Sequence, residues 1–209
     1  MYMNLIRRFY DKRWFLSFVF LTLLFQLGIT YNVLNQTANP PPPSNIFALF
    51  LVALSIIVIL SFIQMPEIAK FGLFSVFSYI QGLILSIYKF KYNPEVINTA
   101  IKGTMSIFAT MFAAGLGITA LGVELGEKIG GFLFWVLLTL VLLRLVFMSS
   151  TGGIHKILSF VGLLLFAMYV VYDTNTILQR NYNGGVISAA LDYYLDILNL
   201  FSSQMRTQN

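Results

Sequence analysis

The chain alternates between long apolar stretches and short polar ones, and seven apolar stretches can be drawn. They run from about Trp14 to Tyr31, Ile46 to Gln64, Phe71 to Tyr88, Ile97 to Gly122, Phe132 to Met148, Ile157 to Leu178 and Val186 to Phe201. A helix needs roughly 20 apolar residues to cross the hydrocarbon of a bilayer, and most of these stretches approach or exceed that length. The runs are too long, and too free of strict alternation, for transmembrane β-strands. The pattern therefore predicts an all-α integral membrane protein, a bundle of seven transmembrane helices forming one domain over residues 1–209. The seventh stretch is the shortest and most polar, so it either spans or re-enters.

The punctuation agrees with this division. Pro40-Pro41-Pro42-Pro43 is predicted to be a stiff, non-helical spacer between the first two helices, and Pro66 halts the second. On the fourth helix Ala109, Ala113 and Gly117 recur at i,i+4, a stripe of small residues that predicts close packing against a neighbouring helix of the bundle, with a dimer interface as the alternative.

Composition sharpens the picture. Only 10% of the residues are charged and 58% are hydrophobic, with a mean hydropathy of +0.80, whereas a soluble domain carries about 25% charged residues. There are no cysteines, which removes disulfides, thiolate catalysis and thiolate metal sites. The net charge of +5 does not indicate nucleic acid, because Arg7, Arg8, Lys12 and Arg13 sit just ahead of the first apolar run, where orientation charges belong. With the N-terminus cytoplasmic, Lys70, Lys128 and Arg180 join them inside, against Lys89, Lys91, Lys102, Lys156 and Arg206 outside. Arg144, late in the fifth segment, can pair with an acidic residue, although snorkelling to the nearby interface is the simpler expectation. His155 is the only histidine, placed in a loop, and one histidine makes no metal site.

Against this background three aspartates stand out: Asp173 near the end of the sixth segment, and Asp192 and Asp196 within the seventh. A carboxylate at membrane depth costs at least a few kcal/mol and marks function by default. In the seventh segment Ser188, Asp192, Asp196, Asn199 and Ser203 recur every three or four residues and fall within about 80° of helical arc. Leu191, Leu195 and Leu198 are assigned to other faces. The loop joining the sixth and seventh helices is short, so the two are antiparallel neighbours and Asp173 can face Asp196 or Asp192. Two carboxylates held close in a low-dielectric setting do not both ionise easily, so the pair would share a proton and titrate as a unit. Such a pair is a pH-sensitive gate. Doubly ionised, it would attract a hard cation, but it supplies too few oxygens for a calcium cage, which suits a weak, transient site and permeation. A structural reading stands beside this one. Asp173 precedes Thr174-Asn175-Thr176 and suits a helix end, and Asp192 lies near a helix start, where the dipole favours an acid.

The words Tyr172-Asp173-Thr174-Asn175 and Tyr194-Leu195-Asp196-Ile197-Leu198-Asn199-Leu200-Phe201 resemble the signature of the Bax-inhibitor-type transmembrane proteins. Gly82 in the third segment and Gly103-Thr104 opening the fourth also fit, so the resemblance extends loosely over the whole chain. It implies a seven-helix bundle with the short polar seventh helix central. It further implies a calcium leak with pH dependence across bacterial inner or eukaryotic ER- or Golgi-type membranes, and protection from cell death in eukaryotes. The family's paired aspartates map onto Asp173 and Asp196, with Asp192, Asn199 and Ser188 as supporting polar groups. Bacterial members carry an arginine latch near the end of the second helix, and Gln64 stands at that position here. Asp192 stands where the family more often has a neutral polar residue. A divergent bacterial or viral member fits these departures.

The function so implied is a pH-sensitive calcium-permeable leak, with calcium and protons as partners, the bilayer as solvent, no cofactor, and a monomer as the unit. Two alternatives stay open: a cation–proton exchanger using the same carboxylates, and a non-conducting regulator acting through partner membrane proteins. An intramembrane aspartyl protease is disfavoured, because Tyr193-Tyr194-Leu195 precedes Asp196 where such an enzyme needs glycine to open the backbone. No enzymatic activity is expected.

Overall fold

The computed structural model describes residues 2–147, 153–179, 182 and 184–208, with side chains described from Lys12 onward. Among the described residues every regular element is an α-helix. In chain order these are α1 (Tyr2–Gln36), α2 (Pro43–Phe62), α3 (Glu67–Lys91), α4 (Pro94–Ala120), α5 (Glu127–Val146), α6 (Gly153–Ile177) and α7 (Val186–Thr207). The first six are long and apolar enough to cross a membrane. At 22 residues α7 is long enough by length, since each residue adds about 1.5 Å, but its polar positions lower its hydropathy. The chain is a multi-pass integral membrane protein built as a helical bundle.

Helices extend past the apolar stretches because polar residues make good helix ends. α1 begins at Tyr2, so the basic cluster expected ahead of the first span is itself helical; the side chains of Arg7 and Arg8, like Arg180, lie outside the described residues. α3 carries Glu67 in its first turn and Lys89 and Lys91 in its last, the signs that complement the helix dipole. The proline run is shorter as a spacer than its sequence suggests. Pro42 is the extended N-cap of α2 and Pro43 its first residue, a position where proline's missing N–H costs nothing.

The chain divides into two compact units, through both of which α1 and α7 run: Met1–Trp14, Asn98–Gly184 and Leu195–Asn209 form one, Phe15–Ile97 and Gly185–Tyr194 the other. In the second unit α2 packs on α3, and α1 turns inward a stripe of Leu16, Val19, Leu23, Gln26, Thr30 and Val33, spaced every three or four residues. Gly82 lets α3 approach α1: a Cβ there would lie 2.7 Å from Val33 Cβ and 2.8 Å from the Thr30 carbonyl. Tyr194 of α7 is fully buried, its ring edge-on to Phe74 at 5.1 Å. Its hydroxyl lies 2.5 Å from Thr30 Oγ1. Thr30 Oγ1 in turn has the carbonyls of Ser78 and Gln26 at 3.0 and 3.1 Å. The single threonine proton goes to a carbonyl, so Tyr194 donates to Thr30.

In the first unit α5 packs on α6 around Leu133, Leu140, Leu158 and Leu165. α4 meets α6 at Gly115, where a Cβ would lie 2.7 Å from Thr174 Cβ and 2.9 Å from the Val171 carbonyl. The expected small-residue seam on α4 is therefore misplaced. Ala109, Ala113 and Gly117 are all exposed, and the buried side of α4 carries Thr104, Phe108, Gly115 and Thr119 instead. The i,i+4 spacing of small residues marks a face without saying which way it turns. Outward positions are large and apolar, as at Phe47, Phe62 and Trp135, a surface suited to lipid rather than to water.

Candidate functional site: the polar side of α6 and α7

Most of α7 is buried. Ile187, Ala189, Ala190, Leu191, Tyr193, Tyr194, Asp196, Ile197, Leu198, Leu200, Phe201, Ser203 and Met205 are all buried, and they cover most of the helix circumference. A helix so enclosed belongs in the interior of a bundle. Its half-accessible side is narrow and carries Ser188, Asp192, Leu195, Asn199 and Ser202. Leu195 thus shares the side of Ser188, Asp192 and Asn199, which corrects its assignment to another face. At 100° per residue it falls between Ser202 and Ser188. Asn199 Nδ2 donates to the Leu195 carbonyl at 2.8 Å, turning its amide back on its own helix.

Asp196, 4% exposed, and Ser203, fully buried, flank that side. Asp173 is half-buried in the last two turns of α6. Both Asp173 and Asp196 belong to the first unit, and the phenol of Tyr169, one turn before Asp173 on α6, lies within electrostatic reach of both carboxylates. Tyr169, which the sequence reading passed over, thus shares one unit with both predicted gate residues. Asp192 and Ser188 belong to the second unit. Gln64 is exposed in the linker after α2, which ends at Phe62 rather than carrying the latch position on a helix. Among the described residues no three or more His, Asp or Glu side chains gather where they could hold a metal ion.

The rest of the α6 signature is structural. Asn175 is fully buried and ties the α4–α5 connection to α6. Its amide donates to Thr119 Oγ1 at 2.9 Å and to the Val123 carbonyl at 2.8 Å. Its oxygen accepts from the Leu125 N–H at 2.7 Å and from Gln179 Nε2 at 3.1 Å. Thr174 fills the notch at Gly115, and its hydroxyl donates to the Val170 carbonyl at 2.7 Å. The end of α6 is capped from outside, because the Lys12 ammonium donates to the Ile177 carbonyl at 2.7 Å and also to that of Gln179. Lys89 likewise caps α1, donating to the carbonyls of Asn35 and Thr37 at 2.6 and 3.0 Å.

Gly103-Thr104 receives the last turn of α7: Thr104 Oγ1 donates to Gln204 Oε1 at 3.2 Å, and a Cβ on Gly103 would strike the Gln204 amide. The profile of the family described as inhibitor of apoptosis-promoting Bax1 matches residues 12–207, nearly the whole chain. The chain belongs to the Bax inhibitor family. Bax inhibitor 1 of Drosophila melanogaster is 35% identical over 116 residues, 52% of this chain and 44% of that protein. A Campylobacter jejuni protein is 38% identical over 98 residues, covering 45% and 41%. The Golgi anti-apoptotic protein of vaccinia virus (strain Lister) is 30% identical over 103 residues, covering 46% and 43%. The chain spans about half the length of the curated relatives it matches. The Bax inhibitor words thus divide by role, with Gly82, Gly103, Thr174 and Asn175 setting helix contacts and Asp173 and Asp196 supplying the carboxylates of the first unit.

One residue escaped the sequence reading and another was read differently. Tyr169 has a signal in hindsight, lying at i−4 from Asp173 and so on its face. Arg144 was expected at the interface and is instead half-buried. Its Nη2 donates to the Leu158 carbonyl and to Ser203 Oγ, both at 3.4 Å. His155 lies within α6 rather than in a loop.

Proposed function

We propose that this Bax inhibitor family chain is a pH-sensitive, calcium-permeable leak channel whose gate is Asp173 and Asp196. The observation that carries the reading is that half-buried Asp173 on α6 and buried Asp196 on α7 lie in one compact unit, with the phenol of Tyr169 within electrostatic reach of both. Two carboxylates close enough to interact share protons and titrate as a unit, so protonation changes the charge that a passing cation meets. Only two carboxylates take part, which suits weak binding and release rather than storage. Calcium and protons are the ligands, no cofactor enters, and no catalytic step is assigned. The chain acts as a monomer, its N-terminus cytoplasmic, in a bacterial inner membrane or an ER- or Golgi-type membrane. The names of its fly and viral relatives support a cytoprotective consequence, exerted through the leak or through partner membrane proteins.

The test is calcium flux into dye-loaded liposomes holding the purified protein, between about pH 6 and pH 8, the range in which a proton-sharing carboxylate pair can titrate. Wild-type flux should change steeply with pH, and Asp173→Asn and Asp196→Asn should each flatten that response. Wild-type flux no greater than that of protein-free liposomes, with the protein folded, would refute the channel and favour the partner-binding regulator.

A further inference from the structure

Arg144 is a cation held inside the bundle. It lies in the last turn of α5, where an arginine can reach the membrane interface by extending outward at little cost. It turns inward instead. The guanidinium rests on Gly162 of α6, where a Cβ would lie 2.5 Å from Arg144 Nη2, 3.0 Å from Ser203 Oγ and 3.4 Å from Leu140 Cδ2. Gly162 is buried and lacks a side chain, which leaves the notch that admits the charge between α5, α6 and α7. Ser203 accepts one hydrogen bond from it and the Leu158 carbonyl another.

The position matters because Ser203 lies seven residues beyond Asp196 on α7, about 10 Å along the helix axis. The polar side of α7 therefore carries a negative group near its middle and a permanently charged guanidinium toward its C-terminal end. We propose that Arg144 is an electrostatic barrier on the cation path of this protein, limiting the flux that Asp173 and Asp196 permit and weighing most heavily against divalent ions. This rests on the leak reading above. A guanidinium repels a calcium ion twice as strongly as a sodium ion at the same distance, so the barrier sets both rate and selectivity. Gly162 is its positioning residue.

The experiment is liposome flux of calcium and of sodium, at one pH, for wild type, Asp196→Asn, Arg144→Gln, Arg144→Lys and Gly162→Ala, each shown to be monodisperse and helical. Arg144→Gln should raise calcium flux about tenfold, equivalent to lifting ~1.4 kcal/mol of repulsion, and sodium flux by less. Gly162→Ala should do the same in part, because its methyl displaces chiefly the flexible end of Arg144, crowds Ser203 Oγ by less, and leaves the charge count intact. Arg144→Lys should stay near wild type. If wild type conducts and Asp196→Asn loses flux, while Arg144→Gln and Gly162→Ala leave calcium flux and the calcium-to-sodium ratio unchanged, the barrier is overturned and the leak stands. If wild type does not conduct, both fall. Should Arg144→Gln fail to fold, Gly162→Ala decides by the same two readouts.

Discussion

Replacing Asn175 with alanine separates the structural from the charged half of the α6 signature. The amide makes four hydrogen bonds, to Thr119, Val123, Leu125 and Gln179, from a fully buried position. Each such bond contributes about 0.5–1.5 kcal/mol net, with membrane-protein values toward the lower end. Water can reach two of the freed partners, since Val123 is 48% exposed and Leu125 is half-buried. Thr119 has no such relief, being 3% exposed. Adding these gives an expected loss of roughly 2–4 kcal/mol. Equilibrium unfolding by SDS titration in mixed micelles, followed by far-UV circular dichroism, measures it. Asn175→Asp keeps the two accepted bonds and loses the two donated ones, so it should fall between alanine and wild type. In liposomes Asn175→Ala should lower flux only in proportion to the folded fraction and keep its pH response. A loss under about 1 kcal/mol, or a flattened pH response at full folding, would refute the division of roles.

Two further expectations concern packing. Gly115→Ala should destabilise by about 1–3 kcal/mol as α4 is pushed from Thr174 and the Val171 carbonyl, whereas Gly117→Ala, with nothing within 4 Å, should be neutral or stabilise by up to about 1 kcal/mol through helix propensity; equal effects in the same unfolding assay would contradict the assignment of the buried face. Thr30→Val should cost more than Tyr194→Phe, by about 1 kcal/mol, because it strands a buried phenol proton, while the reverse change leaves Thr30 donating to a carbonyl; the opposite order would mean that the threonine is the donor.

The sequence by itself determined the class and most of the element order. Hydrophobic runs of bilayer length are dictated by the solvent that the helices meet, so seven helices could be counted before any contact was known. Asp173 and Asp196 were legible for the same reason, since charge in such runs is costly enough to draw notice. Their family words could be recognised, but not sorted into roles. Only the tertiary structure decided which side of each helix faces inward. The seam at Ala109, Ala113 and Gly117 read as well as the one through Gly115, and a membrane helix, apolar on every side, offers no amphipathic stripe to tell them apart. Long side chains were the other gap. Arg144 and Tyr169 can swing toward lipid, interface or interior from one backbone position, and what fixes them is the space that neighbours such as Gly162 leave open. Helix ends fell between these cases, shifting where Lys12 and Lys89 arrive from distant sequence to satisfy the last carbonyls.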